Sequence, residues 1–197
     1  IIGNPRQEKS EALWRSFGQF VNSLGGRYIT AEDSGTSVSD MDFISMETDH
    51  VCGVSTFAGG SGDPSPVTAW GVFHGIRAAC DEVFGTPDVA GRKVAIQGVG
   101  NVGVHLVKYL HDAGATTVIT DVDEPRLKQL SADHGCEVVG VDDIYGVQAD
   151  VFAPCAMGAV LNDKTIPQLK VPIIAGGSNN QLENMPRHGS MLREREI

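Results

Sequence analysis

Cysteine is scarce in this 197-residue chain, and its four copies, Cys52, Cys80, Cys136 and Cys155, form no CxxC pair. Neither they nor the six histidines show metal-ligand spacing, so a disulfide frame and a zinc site are not expected, and no metal is assigned. Scattered reduced thiols point to a cytoplasmic setting. No apolar run approaches the roughly 18–20 residues needed to cross a bilayer, so no membrane partner is expected. Basic residues are also short: 15 Lys and Arg stand against 25 Asp and Glu, for a net charge of −10. A chain so acidic, with no basic stripe, is not built to track a phosphate backbone, so no nucleic-acid partner is expected. Internal repeats and low-complexity tracts are missing too. What remains is 41% hydrophobic and 20% charged, the balance of an ordinary folded domain.

The most informative stretch is Lys93-Val94-Ala95-Ile96-Gln97-Gly98-Val99-Gly100-Asn101-Val102-Gly103. It reads as a strand, a GxGxxG turn and the start of a helix, with Asp121 ending a second strand about 20 residues on. Each part has a physical task. Gly98 allows the tight turn, Gly100 lets a pyrophosphate approach the backbone, and Gly103 lets helix and strand pack closely. The N–H groups of the helix start face the phosphates. Asp121 would accept hydrogen bonds from the adenosine ribose and repel a 2′-phosphate, so NAD is the expected cofactor rather than NADP. A glycine-rich turn with no ligand is the plain alternative.

Around this motif the pattern alternates. A helix from near Ser10 to Leu24 ends at Gly25-Gly26, a short strand is expected at Tyr28–Ala31, and a helical turn starts at Ser39–Asp42. Phe57 to Pro66 is the breaker region and linker candidate. A helix follows from Pro66 to near Gly85, then strands at 94–96, 117–120, 137–139, 151–153 and 172–175, with helices after the first two. This is an α/β fold: a Rossmann-type doubly wound parallel sheet plus part of a second α/β substrate or catalytic domain. The expected division is residues 1–62 for the second domain and 63–197 for the NAD-binding domain.

Ligands in such sheets bind beyond the carboxyl ends of the strands. Two more strand ends qualify, Ala153-Pro154-Cys155-Ala156-Met157-Gly158 and Ala175-Gly176-Gly177-Ser178-Asn179-Asn180. The Asn179 and Asn180 amides can bond a ribose or a carboxamide, although an Asn-Asn pair alone reads as a turn. Cys155 reads as a buried neutral thiol rather than a nucleophile. In the first unit, Asp33 follows a strand end. From spacing alone it is a solvated or helix-capping acid more readily than a proton-transfer group. His188, His50 and His134 read as loop or helix-end residues, and His105 and His111 as outer-face residues.

The segments 26–33, 63–69, 97–103, 151–156 and 178–182, in order, resemble the amino-acid dehydrogenases of the glutamate/leucine/phenylalanine/valine family. The resemblance covers essentially the whole chain. It implies reversible, NAD-dependent oxidative deamination of an L-amino acid to a 2-oxo acid and ammonia. Asp33 matches the catalytic aspartate, and Thr68 a cofactor contact at the first helix of the nucleotide domain. Asp121 matches the ribose-binding acid, Asn180 a contact near the nicotinamide, and Ala31 a substrate-pocket residue. Val99, Asn101, Val102, Cys155 and Ala156 complete the expected cofactor set with Gly98, Gly100 and Gly103. A methyl side chain at Ala31 suits a branched aliphatic substrate, since phenylalanine-specific relatives tend to have glycine there. The alternatives are a phenylalanine-specific enzyme or a non-catalytic NAD-binding module.

The family's catalytic lysine sits in a GGGK motif, which this chain lacks. By the resemblance that motif would lie just ahead of Ile1-Ile2-Gly3-Asn4-Pro5, and an Asn-Ala-Gly-Gly segment would follow the last residues. The stretch is therefore expected to be an internal piece of a longer polypeptide, inactive alone and homo-oligomeric in full-length form. Closure of the two domains would bend the linker at Gly59–Pro66.

Overall fold

The structure is a computed structural model that describes residues 8–33 and 35–197. The opening Ile1–Pro5 segment and Ser34 lie outside the described residues. The chain folds as two compact units that meet in sequence at Pro64 and Ser65.

The first unit is built on two helices, α1 (Glu11–Ser23) and α2 (Val38–Ser45). Ser10 caps α1 by accepting the Leu13 N–H at 3.3 Å, which satisfies one of the donors a helix start leaves over. Trp14, Gly18 and Val21 recur at helical spacing and are buried. Gly18 permits the close approach: a Cβ built there would lie 2.8 Å from the Ile44 carbonyl oxygen of α2. Trp14, Met41, Ile44 and Val54 form the small core. The strand expected at Tyr28–Ala31 shrinks to a single parallel bridge between Thr30 and Val51. Thr30 N–H donates to the His50 carbonyl and Cys52 N–H to the Thr30 carbonyl. Tyr28 and Ile29 on its N-terminal side are exposed, so no ladder extends the pairing beyond that one residue.

The second unit starts with α3 (Ser65–Phe84) and runs β1 (Lys93–Gln97), α4 (Asn101–Asp112), β2 (Thr116–Thr120), α5 (Glu124–His134) and β3 (Glu137–Val138). It continues through β4 (Val151–Pro154), β5 (Ile173–Ile174) and α6 (Met185–Glu194). The five strands are all parallel, in the order β3-β2-β1-β4-β5. This is the doubly wound arrangement, with the order reversing on either side of β1.

The two-residue period of a strand divides β1 between two cores. Val94 and Ile96 join Phe73, Ile76, Leu106 and Leu110 from α3 and α4. Ala95 joins Phe152, Ile144, Leu161 and Ile166 on the opposite face. Both faces are covered, which is why β1 and β2 read as near-continuous apolar runs. Helix ends follow local chemistry: Asp123 caps α5 through the Arg126 N–H at 3.1 Å, and Gly135 closes it at φ 68°.

His188 takes the expected helix-end position, in the first turn of α6, where it accepts the N–H of the N-cap residue Asn184. It sits within α6 and is 1% exposed. Its Nδ1 accepts the Asn184 N–H at 2.9 Å, and its Nε2 faces Asp163 Oδ1 at 3.3 Å. That pattern requires the neutral tautomer protonated at Nε2. Replacing His188 with Ala removes a buried side chain together with the acceptor of the Asn184 N–H, so urea unfolding should show a loss of about 1–3 kcal/mol. An unchanged midpoint would remove His188 from the account of how α6 is held.

Candidate functional site

The glycine turn is defined by what a side chain would hit. Gly98 has φ 93°, a left-handed conformation, and a Cβ there would lie 2.7 Å from both the Cβ and the N of Ala156. A Cβ on Gly103 would overlap the Gly98 carbonyl oxygen. Around Gly100, by contrast, a Cβ would meet nothing within 4 Å. Two glycines therefore permit protein packing, and the middle one faces open space. Gly100 is also the N-cap of α4, followed by Asn101, Val102 and Gly103 in its first turn. The backbone N–H groups of that turn have no carbonyl ahead of them in the helix.

Asp121 is tied to this turn. Its Oδ2 accepts the Val99 N–H at 2.7 Å and its Oδ1 the Asp123 N–H at 3.0 Å. Gly98 N–H in turn donates to the Thr120 carbonyl at 2.9 Å. The acid is held in place through backbone bonds, and each oxygen keeps a second lone pair for a ligand.

The strand ends of β4 and β5 interlock beside the turn. Cys155 N–H donates to the Gln97 carbonyl at 2.7 Å, and Ser178 N–H to the Pro154 carbonyl at 2.9 Å. Ser178 Oγ donates to the Ala156 carbonyl at 2.8 Å. A Cβ on Gly158 would overlap the Asn180 carboxamide. Ala159 takes a left-handed φ of 63°, held by its N–H bond to the Asn180 carbonyl at 2.7 Å. Non-glycine residues in that region cost of order 1–3 kcal/mol, and they cluster where a structure holds a functional loop. The Cys155 thiol accepts the Gly177 N–H at 3.4 Å, and burial pushes its pKa up. That keeps it the neutral thiol expected from its setting.

A Cβ on Gly177 would lie 3.4 Å from Val102 of α4, 3.4 Å from Val72 of α3 and 3.7 Å from Cys155 Sγ. Thr68 stands one turn before Val72 on α3 and is exposed. The structure thus gathers Gly98, Val99, Gly100, Asn101, Val102, Gly103, Asp121, Cys155, Ala156 and Asn180 at one edge of the sheet. Thr68 is on a helix that packs there.

Ala31 and Asp33 belong to the first unit and share one exposed loop. Asp33 N–H donates to Thr36 Oγ1 at 2.8 Å, and that hydroxyl donates to the Asp33 carbonyl at 2.7 Å. The reciprocal turn fixes the Asp33 backbone. Glu32, which carries no expected role, is half-buried, and its Oε2 has no hydrogen-bond partner among the described residues. Burial, then the neighbouring Asp63 and Asp40 charges, pushes its pKa up, against a small pull from Lys9. Nothing in the order of residues signals this, because Asp40 comes from α2 and Asp63 from the far end of the unit.

A parallel sheet in this order, with a glycine turn after its first strand and an acid at the end of its second, defines the Rossmann-type class. Residues 59–125 match the model of the Glutamate/Leucine/Phenylalanine/Valine dehydrogenase family. The whole chain is 51% identical to 53% of a leucine dehydrogenase of Geobacillus stearothermophilus. It is 46% identical to 53% of a phenylalanine dehydrogenase of Lysinibacillus sphaericus. The crystal structure of L-tryptophan dehydrogenase from Nostoc punctiforme superposes with a TM-score of 0.76 at 40% identity, over 96% of this chain and 54% of that one. The chain belongs to the glutamate/leucine/phenylalanine/valine dehydrogenase family. It spans about half the length of the curated relatives it matches.

Glu32 supplies a pH-dependent test. Its raised folded pKa means that the ionised form costs stability above that pKa, and the cost disappears below the unfolded value. Glu32→Gln should raise Tm at pH 8 by about 1–3 °C, and the gain should vanish as pH falls through the ordinary carboxylate range. A gain independent of pH would show that Glu32 is not the titrating group.

Proposed function

We propose that this chain forms the nucleotide-binding part, and one wall of the chemical part, of an NAD-dependent amino-acid dehydrogenase. The reaction is the reversible oxidative deamination of a branched-chain L-amino acid, leucine, valine or isoleucine, to its 2-oxo acid and ammonia. The observation that carries this reading is the glycine turn. Its middle glycine opens to space while Asp121 is bonded to Val99, a cradle that fits a dinucleotide. NAD, when bound, supplies the acceptor for the substrate hydride. The protein's share is to hold and to move protons. Backbone N–H groups of Gly100 to Gly103 and the α4 dipole would face the pyrophosphate. Asp121 would take the adenosine ribose hydroxyls, and Asn180, with Cys155 and Ala156 beside it, would border the nicotinamide half. Thr68 would touch the cofactor from α3.

Asp33 would carry the proton that leaves or joins the amino group and the attacking water, from a loop whose backbone Thr36 holds in place. Ala31, two residues away, would contact the substrate side chain. Its single methyl suits a branched chain, although one methyl discriminates by only about 1–3 kcal/mol. A phenylalanine substrate is the second reading, supported by the similarity to the phenylalanine dehydrogenase. Self-assembly of the longer polypeptide completes the proposal.

Rates with leucine, valine, isoleucine and phenylalanine on the longer polypeptide test the substrate. Highest kcat/KM with phenylalanine would reverse the order of the two readings. In the same protein, Asp33→Asn should lower the deamination rate by about 10²–10⁴-fold while NAD affinity stays close to wild type. Near-normal rates would take Asp33 out of the mechanism. Asp121→Ala should weaken NAD binding about tenfold, read by titration calorimetry. Unchanged affinity would remove Asp121 from the ribose site.

A further inference from the structure

Two histidines far apart in sequence meet at the C-terminal ends of neighbouring helices. His111 is in the last turn of α4 and His134 in the last turn of α5. Their ring centres are 4.9 Å apart, with the ring planes tilted by 59°. His111 is exposed and His134 half-buried. The His134 Nδ1 is buried and has no hydrogen-bond partner among the described residues. A buried polar atom of this kind calls for a water, an ion or strain to account for it.

The surroundings favour a cation. A helix C-terminus carries the negative end of the macrodipole, and two such ends converge here. Asp112, the last residue of α4, adds a carboxylate whose charge reaches both rings. Lys108 binds that carboxylate at 2.6 Å in an exposed i,i+4 pair, which offsets part of its charge. The separation of the rings suits chelation. Two imidazoles that share one ion through nitrogens about 2.0–2.1 Å from it, at angles of about 90–110°, have ring centres about 4.5–5.2 Å apart. The observed 4.9 Å lies inside that range. Among the described residues no group of three His, Cys, Asp or Glu side chains is placed to hold a metal ion, so water would complete the coordination.

We propose that His111 and His134 form a two-histidine site for a late first-row divalent cation, Zn²⁺, Ni²⁺ or Cu²⁺, which ties the C-terminal ends of α4 and α5 together. Imidazole nitrogen suits these metals, whereas Mg²⁺ and Ca²⁺ take oxygen ligands. The exposed His111 ring can turn to admit the ion and to present either nitrogen. Packing of one ring on the other, the plain alternative, leaves the His134 Nδ1 without a partner; a bound cation supplies one. The site is separate from the glycine turn. His111 lies eleven residues beyond the Gly100 cap, about 16 Å along α4.

The test is titration calorimetry of Ni²⁺ and of Zn²⁺ into the 197-residue chain, with thermal unfolding at matched metal concentrations. Wild type should take up one ion per chain, and its Tm should rise with added Ni²⁺, because a ligand of the folded state alone stabilises it. Mg²⁺ should leave Tm unchanged. His111→Gln and His134→Gln should each weaken Ni²⁺ binding by about tenfold or more and abolish the rise in Tm. The double variant should bind no more weakly than either single one, since a lone imidazole cannot chelate. His111→Gln carries the test by itself, because an exposed side chain can change without unfolding the chain. Wild type that binds neither metal at about 1 mM would overturn the proposal. So would Ni²⁺ affinity unchanged in His111→Gln, which would place the ion on another group such as the exposed Cys52 thiol.

Discussion

The second unit depends on a steric constraint: three backbones approach one another at the carboxyl end of β1 more closely than any side chain allows. Gly98 lies against the backbone of Ala156, and Gly103 against the carbonyl of Gly98. A hydrogen bond lost here would cost about 1 kcal/mol, but a Cβ would overlap atoms that cannot move without pulling apart β1, β4 or α4. The constraint also sets the polar geometry. Because Gly98 can turn at φ 93°, its N–H reaches the Thr120 carbonyl and the next N–H reaches the Asp121 carboxylate.

The topology places this constraint where ligands gather. β1 lies between β2 and β4, and the chain leaves it in opposite directions across the sheet. The loops after β1 and β4 are therefore neighbours with a crevice at their carboxyl ends. The interlock of Ala156, Gly158, Ser178 and Asn180 forms one side of it, with strain at Ala159 held by a bond to Asn180. The first unit works on different terms. Its small core is two helices pressed together at Gly18, and its acidic loop carries an exposed residue, Asp33, and a half-buried one, Glu32, beside like charges.

Most elements of the fold were legible because their signals are local. Ser10 before an amphipathic run, proline at the start of a helix, glycine after its end and unbroken apolar strands each act within a few residues. The short strand at Tyr28–Ala31 was over-read for the same reason: β-forming residues were present, but a strand exists only where another segment pairs with it, and only Thr30 finds Val51. The helix-end position of His188 was legible, but its partner Asp163 was not, because the two are 25 residues apart.

The sequence by itself determined the class of fold, the position of the glycine turn, the acid at the end of β2 and the family to which these motifs belong. Those features are encoded by period, by residue size and by short fixed spacings, all of which survive without coordinates. Only the tertiary structure decided that Gly158 must be small because Asn180 lies over it, that Glu32 is raised by Asp63 and Asp40, and that His111 lies against His134. Each of these is a meeting of side chain or backbone across turns and strands. Its energy depends on distance and burial, which residue order does not specify.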